Sequence, residues 1–409
     1  MTFSTLKIAW RNLGRNRKRT ILAVLAIAVG QFGLLATQGL MRGYADNIQR
    51  AITGPMIGHA QVHHPDWREE RAMDLFVPEA DETLADIRTQ EIVEEAAGRV
   101  YAPTLVAPEQ DAFVATVIGV DIEIERQQYG LLSGMEDGLG ENEVLIGYRL
   151  ARRIRAEAGQ EIAIIGQAAD GSYATGLYSV KEIISSPADI INQSGIVMPL
   201  KEAQELFVLP DKVHEIVVRG IDGVGSGAIT DRLRNLPVLA DMAVQSWQEL
   251  MPEFVMIIEM VDYVGYFVLI LVFVAAIAGI ANTLMMGTFE RMHEFGMLLA
   301  LGTRPNRLVR MIIVEAVLLG FLGVAAGTAL GGTFVGLTSF TGIDMASWGG
   351  DQVGDLAYQG LKLPLEIFPR LQWADPVVGC VAVLFTSLLA SLWPASVAAG
   401  LEPMEAMRA

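Results

Sequence analysis

Three histidines lie close together in the chain, and side chains of this type at this spacing could bind a metal ion. His59, His63 and His64 form an H-x3-H-H pattern. On a helix this spacing would present two imidazoles on one face, as a metal site requires. Gly58 before them and Pro65 after them favour a strand or a loop instead, and no third ligand can be assigned. We therefore predict no metal site.

Known catalytic signatures are absent from the sequence. It contains no G-x-x-x-x-G-K-[ST] for nucleotide phosphates, no G-x-S-x-G and no H-E-x-x-H. A single cysteine, Cys380, excludes an internal disulfide framework, and no Cys/His cluster is present to hold zinc. We predict that the chain is not an enzyme by itself.

Three polar residues interrupt otherwise apolar runs: Gln31, Asn282 and Glu315. A carboxylate in hydrocarbon is costly and often functional. Glu315, however, lies only about one and a half helical turns beyond Arg310. We expect it to reach the membrane interface or to pair with Arg310 or Arg307, because no second acid or histidine accompanies it in a relay. Gln31 and Asn282 are expected to form hydrogen bonds between helices.

The composition is that of a membrane protein. Of the 409 residues, 52% are hydrophobic and only 19% are charged, whereas soluble domains carry about 25% charged residues. Four uncharged runs reach the roughly 20 residues that a helix needs to cross hydrocarbon. They predict transmembrane helices at 21–41, 263–289, 311–340 and 376–398. The net charge of −17 disfavours nucleic acid as a partner.

The distribution of basic residues predicts the orientation of these helices. Residues 1–20 carry six Lys or Arg and no acid, and Leu6, Ala9, Trp10 and Leu13 share one helical face, which is typical of an amphipathic segment at the membrane interface. The loop at 290–310 holds four arginines against two glutamates, whereas the loop at 341–375 is acidic. Because cationic flanks stay on the cytoplasmic side, both termini, including the tail at 399–409, are predicted to be cytoplasmic.

The segment 42–262 between the first two helices is strongly acidic and reads as an extracytoplasmic domain. Short runs typical of strands alternate irregularly with two helical stretches, which predicts an α+β fold. The predicted strands are 113–120, 143–146, 161–165, 177–184, 195–198 and 213–218, and the predicted helices are 82–97 and 147–158. The fold class is therefore a multi-pass α-helical membrane protein with four transmembrane helices and a large α+β domain between helices one and two.

Gly323, Gly327 and Gly331 recur at four-residue spacing in the third apolar run. Such a stripe lets a second helix approach closely, and close packing supplies the association energy where no hydrophobic effect acts between helices. We predict a tightly packed helix contact at these residues, within or between chains.

The segment 290–307 reads as a short amphipathic helix closed by Gly302 and Pro305. Its pattern E-R-x-x-E-F-G followed by L-A-x-G, at Glu290–Gly302, resembles the characteristic loop of FtsX-like, or MacB-type (type VII), ABC transporter permeases. The motifs at Ala9–Leu13, Ile280–Leu284 and 394–408 are similar to that family, as is the layout of one span, a large domain and three further spans. Within the family, residues 58–65 most resemble the lipoprotein-releasing LolC/LolE branch.

The resemblance implies a homo- or heterodimer of permeases in the bacterial inner membrane, seated on two copies of a separate ATP-binding subunit. That subunit would bind ATP and Mg²⁺, and this chain would hold no cofactor. ATP-driven closure would be passed through the membrane helices to the outer domains, a mechanism called mechanotransmission. The implied coupling residues are Glu290, Arg291, Glu294, Phe295, Gly296 and Leu299, with Glu294 and Phe295 as the main contacts and Arg291 paired with an acidic groove of the ATPase.

For function, the resemblance implies extraction or export of a lipidated or amphipathic substrate, with lipoprotein release as the leading expectation. Membrane lipid, a lipoprotein and a periplasmic carrier protein would then be partners. Acyl chains would occupy a membrane-level cavity between the first two spans, lined by Leu34, Leu35, Val264, Phe267 and Val268. The alternatives are an FtsX-like regulator of a cell-wall hydrolase and a MacB-like exporter of another cargo.

Overall fold

The computed structural model describes residues 3–15, 17–108, 111–127, 130–133, 135, 138–221, 223–345, 347, 357–358, 361–362 and 365–400. Two compact units can be distinguished. The helical unit contains the described residues of 1–46, 256–345 and 366–400, and the α/β unit contains 47–255 with the described residues of 346–365. The last residues of the predicted tail, 401–409, lie outside the described residues.

The elements follow one another in chain order. The helices are α1 (Phe3–Arg15), α2 (Arg17–Ala51), α3 (Trp67–Glu70), α4 (Ala80–Arg88), α5 (Ile122–Glu125), α6 (Tyr148–Ile154), α7 (Asp189–Ser194), α8 (Leu200–Leu206), α9 (Ser226–Arg234), α10 (Trp247–Leu250), α11 (Pro252–Glu290), α12 (Met292–Ala300), α13 (Pro305–Thr341) and α14 (Ala374–Ala399). A π-helical turn (Ile52–Met56) follows α2, and a 3-10 turn (Pro237–Leu239) follows α9. The strands are β1 (Ala60–His63), β2 (Val93–Ala107), β3 (Phe113–Val120), β4 (Glu143–Gly147), β5 (Glu161–Gln167), β6 (Tyr173–Ile184), β7 (Gly195–Pro199), β8 (Glu215–Gly220), β9 (Ala243–Ser246), β10 (Ile343–Asp344), β11 (Ala357–Tyr358), β12 (Leu361–Lys362) and β13 (Glu366–Ile367).

Four helices in the described part of the chain, α2, α11, α13 and α14, are long and apolar enough to cross a membrane. Each contains one of the predicted spans, so the four-span architecture is confirmed. The helices are longer than the spans: α2 continues to Ala51 and α11 already begins at Pro252. An uncharged run marks only the part of a helix that can lie in hydrocarbon. The helical hydrogen bonding of the backbone continues beyond that part, so the helices are longer than the predicted spans. The main segment of the α/β unit, 47–255, accordingly begins and ends inside the predicted limits of 42 and 262.

The glycine stripe of α13 lies directly against α2. A Cβ atom built on Gly323 would lie 2.5 Å from Cβ of Ile27, and one built on Gly327 would lie 2.6 Å from the carbonyl oxygen of Ala28. Gly331 similarly faces Leu35, at 3.0 Å. The two helix backbones thus approach within a distance that only glycine allows, and this contact lies within one chain.

The α/β unit is built on a nine-stranded mixed sheet in the order β3-β7-β4-β6-β5-β2-β8-β1-β9. An additional pairing of β3 with β2 closes the first six of these strands into a ring. β2 makes this possible because its first half pairs with β8 and its second half with β5, while β3 runs along its other side. The apolar faces of the strands enclose the main core, which includes Val62, Val100, Val117, Ile164 and Ile216.

The predicted α+β class is confirmed, and the six predicted strands correspond to β3 to β8. β1, β2 and β9 were not predicted. The helix predicted over 82–97 is wrong in its second half, since α4 ends at Arg88 and β2 begins at Val93. Glu95 is a strand residue whose carboxylate accepts a hydrogen bond from Nε of Arg219 at 2.8 Å.

The contact between α2 and α13 predicts a specific sensitivity to added volume. In Gly327→Ala the new methyl group must displace the Ala28 carbonyl. We therefore expect the free energy of unfolding to decrease by about 1–3 kcal/mol, which is typical of overpacking. Gly336→Ala is the matched control, because a Cβ there meets nothing within 4 Å. Thermal unfolding of both purified variants in detergent measures the difference. Equal midpoints would contradict the close contact.

Candidate functional site

The predicted coupling segment forms a distinct short helix, α12, between two membrane-length helices. α11 ends at Glu290, and α12 ends where Gly302 adopts a φ of +87°, a conformation that favours glycine. The amides of Gly302 and Thr303 donate to the carbonyls of Leu299 and Leu298, which closes the helix. Pro305 then stands at the start of α13, where its missing N–H costs nothing.

Phe295 faces the interior of the helical unit and is 1% exposed. It belongs to a core cluster with Leu13 of α1, Ile280 and Leu284 of α11, and Leu308 of α13. Gly296 is buried beside it. The expectation that Phe295 is a main contact of an ATPase is therefore wrong for this structure: its ring anchors α12 to the rest of the unit.

Three exposed apolar side chains lie in the second half of α12 and just past its end. Met297 and Leu298 are exposed, and Leu301, at the end of the helix, is 84% exposed. Leu299 is half-buried. Sequence reasoning missed the first three because apolar residues flank Phe295 on every side, so that the pattern did not indicate which of them faces inward. The start of α13 adds the exposed cations Arg304 and Arg307.

Arg291 is held inside the helical unit. Its Nη2 donates to Oε2 of Glu315 at 2.8 Å, its Nε donates to the carbonyl of Gly287 at 3.1 Å, and its guanidinium lies 5.3 Å from the ring centre of Phe295. Both charged side chains are largely buried. Two expectations are thereby corrected. Glu315 pairs with Arg291 and not with Arg310 or Arg307, and Arg291 is not presented to an acidic groove of a partner.

The two remaining acids of the segment bind cations near the start of the chain. Glu290 pairs with Arg19 and Glu294 with Arg15, each at 2.6 Å, and both carboxylates are about half exposed. Exposed ion pairs stabilise a fold only weakly, because solvent screens them. They therefore orient α12 relative to α1 and α2 more than they stabilise it. Of the predicted amphipathic face of α1, Ala9 and Leu13 are buried whereas Trp10 is exposed.

The five residues predicted to line a substrate cavity do not share one surface. Leu34 and Leu35 are buried, and Leu35 packs on Gly331 of α13. Phe267 is exposed, while Val264 and Val268 are half-buried. A cavity of about 130 Å³ that α2 and α11 do line is bounded by Gln38, Met41, Arg42, Val261, Gly265, Tyr266, Ala374, Asp375 and Val378. An almost uniformly apolar helix gives no periodicity from which its rotation can be read.

The two polar residues predicted to join helices differ in outcome. Gln31 is fully buried and donates from Nε2 to Oγ1 of Thr328 on α13 at 3.3 Å, as an interhelical bond should. Asn282 is exposed on α11 and makes no hydrogen bond to another helix among the described residues. Its role in joining helices stays a prediction.

The α/β unit contains a buried charge network that the sequence did not reveal. Arg99 donates from Nε to Oε1 of Glu125 at 2.7 Å, and from Nη1 and Nη2 to the carbonyls of Met56 and Pro55 at 2.7 and 2.8 Å. Arg219 reaches the carbonyl of Gly54 at 3.4 Å. Burial alone would lower the pKa of Arg99, but the Glu125 carboxylate outweighs it and raises that pKa. The two arginines thus fasten the π-helical turn after α2 to the sheet.

The three histidines occupy strand β1 and its flanks. Nε2 of His63 lies 3.0 Å from Oε1 of Gln245, and Nδ1 of His59 accepts a hydrogen bond from the amide of Gly220 at 3.1 Å. Within the described ranges, no group of three His, Cys, Asp or Glu side chains is placed to hold a metal ion.

Comparison with known proteins identifies the family. A model of the MacB-like periplasmic core domain matches residues 20–236, more than half of the chain, and a model of the FtsX-like permease C-terminal region matches residues 266–403. The chain belongs to the FtsX-like, MacB-type family of ABC transporter permeases. The second match includes α12, so the resemblance first seen in that segment is confirmed over the whole architecture.

Individual relatives of this permease are distant. The lipoprotein-releasing system transmembrane protein LolC of Neisseria meningitidis serogroup B is 22% identical over 95% of this chain and 94% of its own length. The macrolide export ATP-binding/permease protein MacB of Hahella chejuensis is 20% identical over 98% of this chain and 59% of its own length. Among solved structures, the periplasmic region of MacB from Actinobacillus actinomycetemcomitans matches with a TM-score of 0.36 and 13% identity, covering 52% of this chain and 94% of that one. Family members are permease components that work with ATP-binding subunits.

The buried pair of Arg291 and Glu315 gives a testable consequence for the permease. Arg291→Met leaves the Glu315 carboxylate without its partner, and breaking a buried pair costs about 3–5 kcal/mol. Adding Glu315→Gln to Arg291→Met removes the stranded charge, so we expect the double variant to regain thermal stability. Unfolding midpoints in detergent test this order. A double variant less stable than Arg291→Met would contradict the pairing.

His214, just before β8, is buried and stacks on Trp67 at 4.2 Å between ring centres. Its Nδ1 accepts a hydrogen bond from the amide of Tyr101 at 2.9 Å. Burial lowers the pKa of His214 to about 4, although a hydrogen bond to the Met73 carbonyl opposes this shift. The folded protein therefore keeps this imidazole neutral where an unfolded chain would protonate it.

This shift predicts a loss of stability in mild acid. Between pH about 6.5 and about 4, His214 is protonated in the unfolded state but not in the folded state. The free energy of unfolding therefore decreases by up to about 3 kcal/mol as the pH falls through this range. His214→Asn retains an acceptor for the Tyr101 amide but does not titrate there. Its unfolding midpoint should fall less steeply with pH than that of the unmodified chain. Parallel pH profiles would refute the assignment to His214.

Proposed function

We propose that this permease is the membrane subunit of an ATP-driven transporter that extracts or exports a lipidated or amphipathic substrate. Two permease chains, identical or different, would sit on two copies of a separate ATP-binding subunit that binds ATP and Mg²⁺. This chain would bind no cofactor. The observation that carries the proposal is α12, a short helix anchored on one face and apolar and exposed on the other.

The exposed face of α12 is suited to docking. Met297, Leu298 and Leu301 form an apolar surface, which we call the α12 tip. Apolar anchors surrounded by polar residues are typical of protein interfaces, and Arg304 and Arg307 supply such a rim. We assign the α12 tip to the ATP-binding subunit. In this assignment Glu290, Arg291, Glu294, Phe295 and Gly296 position the helix, and Leu299 bridges its two faces.

The buried face of α12 is suited to transmitting movement. Phe295 packs with residues of α1, α11 and α13, and Arg291 links the start of α12 to Glu315 in the middle of a membrane-length helix. Close-packed interiors resist deformation. A displacement of the α12 tip by the ATPase would therefore move these helices with it, which is what mechanotransmission requires.

Lipoprotein release is the cargo that we favour, because the relative that aligns over nearly its entire length is a LolC protein. The proposal includes membrane lipid and a periplasmic carrier as further partners. It places the chain in the bacterial inner membrane with both termini and α12 in the cytoplasm, since the flanks of α2 and α13 carry the cationic excess. The α/β unit would then be periplasmic.

The α12 tip can be tested by copurification. Leu301→Asp puts a charge on the exposed apolar surface and should weaken binding of the ATP-binding subunit about tenfold or more, as expected for an interface anchor. Glu294→Arg, which disrupts only a half-exposed pair with Arg15, should have a smaller effect. Retained ATPase and its hydrolysis rate are measured on tagged permease in mild detergent, and acylated cargo is identified by mass spectrometry.

Leu177→Asp is the matched control, because Leu177 is likewise an exposed leucine, on strand β6 of the α/β unit. It should leave ATPase binding unchanged. If Leu301→Asp also binds the ATPase normally, the α12 tip is not the docking surface. Bound ATPase without any acylated protein would instead favour a MacB-like exporter of another cargo or an FtsX-like regulator.

A further inference from the structure

Strand β6 of the α/β unit is open along one edge of its first half. Residues 173–179 pair with β5 on one side, and β4 joins the other side only from Ser179 onward. On that second side, no described strand pairs with residues 173–178. We call this open stretch, residues 173–178, the β6 edge.

The backbone groups that the β6 edge directs outward belong to Tyr173, Thr175 and Leu177. The amide of Ser179 donates to the carbonyl of Asn142, on the side away from β5, at 2.8 Å. Because alternate residues of an antiparallel strand direct their N–H and C=O to the same side, these three residues also turn theirs away from β5. None of these groups has a hydrogen-bond partner among the described residues. The edge therefore presents three donors and three acceptors in a row.

The β6 edge lacks the features that usually protect such a strand. Natural sheet edges carry charged side chains or proline, because unpaired strands associate. Residues 171–180 contain neither, although residues 47–255 as a whole hold 34 acidic and 16 basic side chains. Two side chains of the edge are instead apolar and exposed, Tyr173 by 92% and Leu177 by 67%. An exposed apolar surface of this kind is typical of a protein contact.

The three outward-facing residues are self-complementary about Thr175. When a second, antiparallel β6 edge meets the first with Thr175 opposite itself, Tyr173 lies opposite the partner's Leu177, and Leu177 lies opposite the partner's Tyr173. Each opposed pair of this type exchanges two hydrogen bonds, so every outward N–H and C=O of the edge is satisfied. Threonine then lies beside threonine and each aromatic ring beside a leucine, within the distance at which cross-strand side chains interact. No like charges meet, since the edge carries none.

We propose that the β6 edge pairs with the same edge of a second copy of this chain, antiparallel and centred on Thr175. Each β6 would then be paired along both sides, and the contact has the two-fold symmetry of most homodimers. The contact rests on the proposed function, in which two permease chains come together, and it makes those two chains identical. An extended segment of another protein offers the same backbone groups, but two-fold symmetry alone places a leucine opposite each Tyr173 and a tyrosine opposite each Leu177.

Disulfide trapping in membranes tests the contact in the full-length chain. Cys380→Ser provides a background without cysteine. Thr175→Cys should form a disulfide-linked dimer on mild oxidation, because hydrogen-bonded partners on antiparallel strands lie about 5.5 Å apart between Cα atoms, within the range of a disulfide. Val114→Cys is the matched control, since Val114 is also exposed but lies on β3, three strands away from the edge. It should form no such dimer.

The register of the contact provides a sharper test. Tyr173→Cys alone should form no disulfide with its own copy, because the two residues would be about 14 Å apart along the strands. Coexpressed with Leu177→Cys, it should form a linked dimer. Thr175→Pro, added to both chains, removes an outward N–H that makes no bond to β5, as an edge position tolerates, and should abolish this dimer. Thr175→Val keeps the N–H and should retain it.

Three results would overturn the proposal. The first is no more dimer from Thr175→Cys than from Val114→Cys. The second is a Tyr173→Cys disulfide as abundant as that of the coexpressed pair, which would show another register. The third is linkage of Thr175→Cys to a different polypeptide, identified by mass spectrometry. Bound ATP-binding subunit is assayed on the same samples after solubilisation, so failure of the α12 tip and failure of the β6 contact are distinguishable.

Discussion

Burial of Phe295 is the constraint on which the orientation of the coupling helix depends. A helix of nine residues is too short to be stable alone, so α12 needs tertiary contacts to persist. The aromatic ring supplies them by entering a core formed by five other helices. Once that ring points inward, the 3.6-residue period places Met297 on the far side of the helix, while Leu298, one turn after Phe295, and Leu301, just past the end of the helix, are also exposed. Phe295, which the sequence suggested as a contact of the ATPase, thus determines which other side chains of α12 are exposed to a partner.

The Arg291–Glu315 pair acts on the same helix at its other end. An ion pair in a largely buried position gains little net stability over apolar packing, because desolvation offsets the attraction. The pair instead favours one orientation of α12 relative to α13, the orientation in which the two charged groups can form their hydrogen bond. Hydrophobic burial of Phe295 and charge pairing of Arg291 therefore have separate roles, the first holding the helix and the second fixing its angle.

Much of this could be predicted from the sequence, and the failures share a physical cause. The four spans followed from the absence of charge, and the close contact of α13 followed from glycine spacing, because each pattern has one physical meaning. The inward face of α12, the rotation of α2 at Leu34 and Leu35, and the partner of Glu315 could not be read. In each case the local sequence is apolar on several sides, and the choice is made by residues distant in the chain. β2 was missed for the opposite reason, since its buried Arg99 and its partly buried Glu95 are charges that a local pattern assigns to solvent.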